Sequence, residues 1–387
     1  MLNNIKRRTT IGDFFSGLDY ISVITAFIAS AYGLLLVFSA THYVLDDKTK
    51  IANSVLTMAI SIAGGAIMAL ILSVINYEVI SKLWPVVGIA CVLLMIVTYF
   101  FGTSAPGRDT ARSWLDLGFF TLQSSELLKI GFIISFSYHL DLVKDNINKL
   151  KVIIPLVIHG AVPIGLCILT GDAGSALIFF LMFIGMLFFA RINIGYFAAG
   201  ICAIIVGFVA AWKLKIIDGI QRQRIEALFY PENYKDVMYQ QTNGKIALGS
   251  GGMFGQGFLQ GKMTQSGAVP VNESDMILTV AGEELGFVGA AAVILILAVL
   301  MLRVGRVGLK ARDNVGYLMC MGIAVMIFAQ TVVNIGMELS LLPCIGITLP
   351  LFSAGGSSSL SIYLAIGIVL SVYRFSKNQQ KSLFYTD

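Results

Sequence analysis

Four carboxylates crowd the change from polar loop to apolar span in "AVPVNESDMILTVAGEELGFVGAAAVILILAVL", Ala268 to Leu300: Glu273, Asp275, Glu283 and Glu284. Ionisable groups at the mouth of a membrane helix are costly, and they usually face a cavity and carry function. The chemistry open to a positioned carboxylate is proton transfer. Asp275 sits in an otherwise apolar "DMILTV" run, eight residues before Glu283, and shares nearly the same helical face with it if the helix begins early. The competing reading is that Glu283 and Glu284 cap a helix N-terminus, where negative charge is favoured.

A second group lies in "GRDTARSWLDLGFFTLQSSELLKI", which gathers Arg108, Arg112, Trp114, Gln123, Glu126 and Lys129. Lys129 inside an apolar helix requires an anion. Either Glu126, one turn earlier, is that partner in a structural ion pair, or Arg112 and Lys129 form a cationic seat for phosphate, the first as a fork and the second as a point charge. Asp172, in "LTGDAGSAL", is a further intramembrane carboxylate and equally a helix cap. "GSGGMFGQG" resembles a phosphate loop in composition alone, since no strand precedes it and no Lys-Ser/Thr closes it; flexible backbone is the expectation. His42, His139 and His159 are scattered, and the five cysteines stand singly without metal or redox spacing.

The elements that must position these residues are membrane helices. Of the 387 residues 57% are hydrophobic and 13% charged, and the mean hydropathy is +0.83, against about 25% charged residues in soluble domains. Ten apolar runs suit bilayer-crossing helices: Leu18 to Ala40, Ser54 to Ile75, Leu83 to Phe101, Glu126 to Leu140, Val152 to Leu169, Ser175 to Ala190, Ile194 to Trp212, Leu285 to Leu302, Val315 to Gly336 and Ser359 to Tyr373. Lys6, Arg7 and Arg8, then Lys144, Lys149 and Lys151, Arg191, Arg303 to Arg312, and Arg374 to Lys381 fall on one side, which sets both termini in the cytoplasm. The net charge of +5 follows from this bias. No basic tract with interleaved aromatics suggests nucleic acid. The first apolar run exceeds a signal-peptide core and is read as a retained span.

A single polytopic domain, 1–387, accounts for the chain, with a long extracytoplasmic loop at 213–274 expected to be compact. Gly102 to Ser125 and Met337 to Ser358 fall on the same outer face. The latter is too apolar for an ordinary loop, yet Pro343, Pro350 and Gly355-Gly356 forbid a continuous helix. Irregular backbone at membrane depth needs protein or a watery cavity around it, so a re-entrant segment lining an outward-facing cavity is expected. The residues alone leave a transporter, a channel and an enzyme acting on a membrane-embedded anionic lipid level with one another.

"ARSWLDLGFFTLQSSELLK" (Ala111 to Lys129), "YQQTNGKIALGSGGMFGQGFLQG" (Tyr239 to Gly261), "ESDMILTVAGEELGFVGA" (Glu273 to Ala290) and "NIGMELSLLPCIGITLPLFSAGGSSS" (Asn334 to Ser359) strongly resemble the SEDS family of bacterial cell-wall proteins. The likeness covers nearly the whole chain. The runs "GSGGMFGQGFLQGKMTQSGAVP" and "NIGMELSLLPCIGITLPL" look closest to the RodA-like, elongation-type branch. The chain departs from the family pattern at Gln123-Ser124-Ser125-Glu126, Thr170-Gly171-Asp172, Glu273-Ser274-Asp275-Met276 and Ser353-Ala354-Gly355-Gly356, but it keeps the acidic and basic positions.

The resemblance implies an all-α membrane fold and a peptidoglycan glycosyltransferase that polymerises lipid II, a disaccharide-pentapeptide on undecaprenyl pyrophosphate, into β-linked glycan at the outer face of the bacterial cytoplasmic membrane. It implies Asp275 as general base. Arg112, Trp114, Gln123, Lys129, Glu283 and Glu284 would bind substrate, the two glutamates by holding the head of the eighth span and orienting cationic neighbours. A divalent metal, Mg2+ or Mn2+, is implied with Glu126 or Asp172 as oxygen ligands. The partners implied are a class B penicillin-binding protein transpeptidase and other proteins of the elongation complex. A division or sporulation paralogue with the same chemistry, a lipid II flippase and a recruiting scaffold are the alternatives.

Overall fold

The computed structural model describes residues 17–42, 48–104, 112–116, 118, 121–214 and 219–384. Its helices are α1 (Tyr20–His42), α2 (Lys48–Val74), α3 (Tyr77–Lys82), α4 (Trp84–Phe101), α5 (Ser124–Leu142), α6 (Leu150–Leu169), α7 (Ala173–Phe189), α8 (Ile194–Lys213), α9 (Gly219–Phe229), α10 (Lys235–Ser250), α11 (Lys262–Gln265), α12 (Ile277–Leu309), α13 (Asn314–Glu338) and α14 (Gly356–Phe384). Between α4 and α5 lie three short antiparallel strands, β1 (Thr103–Ser104), β2 (Arg112–Asp116) and β3 (Thr121–Gln123), in the order β1-β2-β3. The protein is thus the all-α, multi-pass membrane protein expected, with one small sheet that the apolar pattern did not announce.

Seven of the described helices are long and apolar enough to cross a membrane: α1, α4, α6, α12, α13, Asn53–Val74 of α2 and Gly356–Lys377 of α14. The apolar windows of α13 and α14 are 67% and 78% buried, whereas that of α4 is 11% buried, so α13 and α14 form the centre and α4 the rim. Local chemistry fixes several ends. Asn76 caps α3 by accepting from the Glu78 N–H, and Pro85 sits in the first turn of α4. Asp313 accepts from Gly316 N at 2.8 Å to start α13. Asn76 and Asp313 each satisfy a donor that the first helical turn leaves without a partner, and Pro85 removes one by having no N–H.

Two expectations change. The eighth span, expected from Leu285, begins at Ile277 and runs through a break at Gly286, where φ is 71° and ψ −165°. Asp275 therefore precedes the helix and shares no helical face with Glu283. The long loop, read from the sequence without helices, carries α9, α10 and α11.

The expected irregular segment is present. No helix or strand covers 339–355; its Ile347, Leu349, Leu351, Phe352 and Ser353 are buried. It wedges between helices: a Cβ on Gly33 of α1 would lie 2.5 Å from Leu351 O, and one on Gly174 of α7 2.7 Å from Ile345 O.

Candidate active site

Asp275 ends a short loop whose backbone is clamped from two sides. Asn334, on α13, donates its amide to Asp275 O at 2.9 Å and to Ile347 O at 2.8 Å. From the irregular segment, Ser353 donates its hydroxyl to Ser274 O at 2.5 Å, and Ala354 N donates to Glu273 O at 2.7 Å. Three consecutive carbonyls, 273 to 275, are therefore held by elements far away in sequence. The Asp275 side chain is 8% exposed, and Ser274 Oγ lies 3.3 Å from its Oδ1.

The second group assembles around the start of α5. Trp114 of β2 pairs with Gln123 of β3, and Arg112 lies two residues before Trp114 on the same face, opposite Ser104. Arg108 lies outside the described residues. Gln123 donates its side-chain amide to Asp172 Oδ2 at 3.1 Å, where Ser125 Oγ also donates at 3.2 Å. Asp172 Oδ1 caps α7 by accepting from Ser175 N at 2.9 Å. One turn deeper, Lys129 Nζ lies 2.8 Å from Glu126, whose Oε2 accepts from Ser361 at 2.8 Å.

The structure thus brings Asp172, Glu126 and Lys129 together as buried groups, with the half-buried Gln123 of β3 bonded to Asp172 beside the strand that carries Arg112 and Trp114. Lys129 is 2% exposed, so of the two readings of its charge the ion pair with Glu126 is the one formed. Arg112 is exposed on its strand.

These buried groups and the Asp275 loop are joined by the serine run that follows the irregular segment. Gln123 N donates to Ser357 Oγ at 3.0 Å, Thr348 and Ser358 hydroxyls lie 3.0 Å apart, and Ser361 reaches Glu126. Ser353, four residues before Ser357, reaches the Asp275 loop. A single stretch, 353–361, contacts both halves.

Glu283 and Glu284 are not the helix caps they could have been, and among the described residues no Lys or Arg stands beside their carboxylates. They lie in the second turn of α12, wholly buried. Glu283 accepts from Met263 N at 2.7 Å, Thr264 N at 2.8 Å and Thr264 Oγ1 at 2.7 Å. Glu284 accepts from Ser39 Oγ at 2.6 Å, Gln265 Nε2 at 2.9 Å and Leu259 N at 3.1 Å. Their carboxylates tie the long loop, and through Ser39 also α1, to the head of α12.

The Gly-rich run, expected to be flexible, is instead spliced into the broken helix. Gln256 N and Gly257 N donate to the Glu283 and Glu284 carbonyls at 2.9 and 3.0 Å, while Phe287 N and Val288 N donate to Gly252 O and Met253 O at 2.9 and 3.2 Å. The positive φ of Gly286 frees these groups, and a Cβ there would lie 2.3 Å from Gly255 N. Only glycine fits that conformation and that approach.

The carboxylates expected to hold a metal do not fit one. Both oxygens of Glu126 are engaged by Lys129 and Ser361, both of Asp172 by Gln123, Ser125 and the α7 amide. Among the described residues, no three His, Cys, Asp or Glu side chains converge as a ligand set. A cavity of about 630 Å³ lies between α8 and α9 around Trp212 and Phe229, and one of about 350 Å³ lies among α4, α5 and α6 around Trp84 and His159. Neither is lined by a residue singled out in the sequence for chemistry.

The sequence reading missed Asn334, Ser353, Ser357, Ser361 and Glu338. Glu338, fully buried at the end of α13, accepts from Leu278 N at 3.1 Å, Thr279 N at 2.6 Å and Thr279 Oγ1 at 2.8 Å. The one available signal was an acidic residue inside "NIGMELSLLP", an otherwise uncharged run.

A family model described as "Cell cycle protein" and named FTSW_RODA_SPOVE matches residues 20–378. The chain is 31% identical over 362 residues to "Probable peptidoglycan glycosyltransferase FtsW" of Trichlorobacter lovleyi, with 92% of each covered. It is 29% identical over 326 residues to "Peptidoglycan glycosyltransferase MrdB" of Escherichia coli K12, covering 83% of this chain and 86% of that one. Among solved structures, Thermus thermophilus rod shape determining protein RodA superposes with a TM-score of 0.68 at 23% identity, covering 92% of this chain and 97% of RodA. A structure titled "Structural coordination of polymerization and crosslinking by a peptidoglycan synthase complex" gives 0.78 at 23% identity, over 96% and 99%.

Proposed function

Because this chain belongs to the FtsW/RodA/SpoVE family of cell cycle proteins, we infer that it is a peptidoglycan glycosyltransferase, with lipid II as substrate and Asp275 as general base. The observation that carries the reading is the clamped Asp275 loop. Asn334, Ser353 and Ala354 fix three successive carbonyls and so fix the carboxylate at the head of a membrane helix. Preorganisation of this kind is what a base needs in order to act on a weakly acidic sugar hydroxyl.

In this reaction the acceptor hydroxyl oxygen forms a bond to the anomeric carbon of the donor while its proton passes to Asp275. The bond from that carbon to the lipid pyrophosphate breaks, and the pyrophosphate leaves with the electron pair. Attack opposite the leaving group gives the β linkage. In this reading Arg112, exposed on its strand, offers a fork to the departing pyrophosphate, and Trp114 stacks on a sugar. The neutral Glu126–Lys129 pair keeps the buried groups beside it rigid. No step runs through a metal held by Glu126 and Asp172.

The same reading puts the sheet and the long loop on the outer face of the cytoplasmic membrane and both termini inside. It makes a class B penicillin-binding protein the crosslinking partner, with the other elongation proteins around the pair. The elongation role follows the RodA-like runs that begin at Gly249 and Asn334. Depletion of the protein from a rod-shaped host would then round the cells, whereas filamentation would assign it to division.

The deciding experiment gives lipid II to the purified protein and reads glycan strands on a gel. Wild type is expected to polymerise, and Asp275→Asn to lose about 10²- to 10⁴-fold in rate with an unchanged melting temperature. Unaltered polymer from Asp275→Asn would remove that residue from the mechanism, and translocation without polymer from wild type would favour a flippase.

A further inference from the structure

Helix α10 runs beside the first part of α12 in the same direction. A Cβ on Gly244 would strike the Met276 side chain, one on Gly251 the Gly282 carbonyl, one on Gly255 the Glu284 carbonyl, and one on Gly286 the Met253 carbonyl. These approaches advance together along both segments. The stretch from Lys235 therefore descends alongside α12, turns at 251–257, and climbs back through α11, where Met263 N and Thr264 N reach Glu283. The lowest part of this hairpin is the pair Met253 and Phe254, level with Phe287 and Val288, whose N–H groups donate to Gly252 O and Met253 O.

That level lies at the depth of hydrocarbon. Between Glu284 and Arg303, α12 carries no charge. Phe287 stands about four turns from Leu302, about 22 Å at 1.5 Å per residue, which is less than the hydrocarbon thickness of about 30 Å. The exposed side of α12 is apolar over this length, with Phe287, Leu295 and Leu302 64%, 64% and 57% exposed. Phe254, 81% exposed, and Met253, 60% exposed, widen that apolar stripe at its upper end.

Irregular backbone bare to hydrocarbon is not tolerated, and here the backbone is not bare. Gln256 N and Gly257 N donate to Glu283 O and Glu284 O, Gly255 N donates to Gly251 O, and Gly252 O and Met253 O accept from α12. The broken helix thus satisfies the turn and leaves apolar side chains outward. Polar groups close the neck of the hairpin: Gln256 donates to Ser250 Oγ at 2.7 Å and accepts from Lys262 N at 3.1 Å, and Lys262 is exposed. An apolar tip under a polar neck that carries a cation is the pattern of a segment seated at a bilayer interface.

We propose that Met253 and Phe254 form a lipid anchor: the tip of the long loop inserts among the acyl chains of the leaflet on its side, the outer one in the orientation given above. The anchor holds at fixed depth the loop that donates to Glu283 and Glu284. Membrane lipid fits this surface because the tip continues the apolar stripe of α12 at a depth that water-borne proteins do not reach.

The test uses the full chain in lipid nanodiscs. Phe254→Trp adds emission to the wild-type background of Trp84, Trp114 and Trp212. The added emission is expected to be blue-shifted from that of indole in water, to be mostly lost when the disc phospholipids are brominated on their acyl chains, and to resist acrylamide. Loss to acrylamide with none to bromine would place the tip in water and overturn the anchor. Protection from both quenchers would mean that protein covers the tip, and would overturn it equally. Bromine quenching is expected to persist when the proposed transpeptidase partner is added, and its disappearance there would reassign the surface to the partner. Wild type supplies a second reading that needs no substitution. A phospholipid with a photoactivatable diazirine in its acyl chain should label 251–258 as well as the exposed side of α12 between 287 and 302, as mapped by mass spectrometry. Label on α12 with none on 251–258 would sink the anchor even if the variant failed to fold.

Discussion

Ser353 donates its hydroxyl to the Ser274 carbonyl at 2.5 Å and accepts from Leu349 N at 2.8 Å. One side chain thus folds the irregular segment on itself and ties it to the residue before Asp275. Ser353→Ala would leave a buried carbonyl and a buried amide without their partner, at about 1–3 kcal/mol. The Asp275 loop would loosen, and if Asp275 is the base as proposed, polymerisation is expected to fall at least about tenfold, because small misplacements of reacting groups cost large factors in rate. Gel-resolved polymerisation and thermal melting of the detergent-solubilised protein check both.

The Glu126–Lys129 pair is buried at both ends, with 5% and 2% of the side chains exposed. Removing one partner strands a charge, so Lys129→Met is expected to cost about 3–5 kcal/mol. The double variant Glu126→Leu with Lys129→Met removes both charges and should recover most of that loss. If polymerisation returns along with stability in the double variant, the pair is scaffold; if stability alone returns, Lys129 or Glu126 also meets substrate.

Gly286→Ala is expected to be among the most damaging single-methyl changes in the chain. The backbone there, at φ 71° and ψ −165°, belongs to a region that glycine alone occupies at low cost, with about 1–3 kcal/mol of strain for another residue. The added methyl would also press on Gly255 N and Met253 O, 2.3 and 2.6 Å away. A fall in melting temperature together with new protease cleavage between residues 250 and 265 is the expected result. Cleavage elsewhere would place the weak point outside the splice.

Acidification is expected to loosen the corner between α9 and α10. Tyr234 Oη and Arg222 both donate to Glu226, and these bonds, Tyr234 first, hold its carboxyl below the ordinary value. A depressed carboxyl contributes stability above its unfolded value, and that contribution is lost as pH falls through the folded one. Hydrogen exchange across 219–234 should therefore stay slow at neutral pH and rise as pH drops beneath the usual glutamate range. Glu226→Gln should show high exchange throughout; a flat wild-type profile would exclude the linkage.

The residues that break an apolar pattern were legible in the sequence. Asp275, Lys129 and Asp172 each interrupt a hydrophobic run, and the structure gives each a specific place. The irregular stretch after α13 was legible too, because Pro343, Pro350 and two glycines forbid a helix where the composition demands burial. Partners distant in sequence were not. Glu338 looks like an ordinary helix-end charge until α12 is seen to start against it, and the donors to Glu283 and Glu284 sit about 20 residues upstream in a loop whose glycines suggest slack. The β2–β3 pairing escaped because strands this short leave too little alternation to be told from loop.

The break at Gly286 also sets a sequence of events for making the protein. Until residues 250–265 have wrapped around 283–288, the carbonyls of Glu283 and Glu284, the amides of Phe287 and Val288 and the buried Glu283 carboxylate lack the partners shown here. Hydrocarbon cannot supply them. The head of α12 must therefore remain in an aqueous or protein-lined setting while the loop wraps, so this span settles into the bilayer from its far end first.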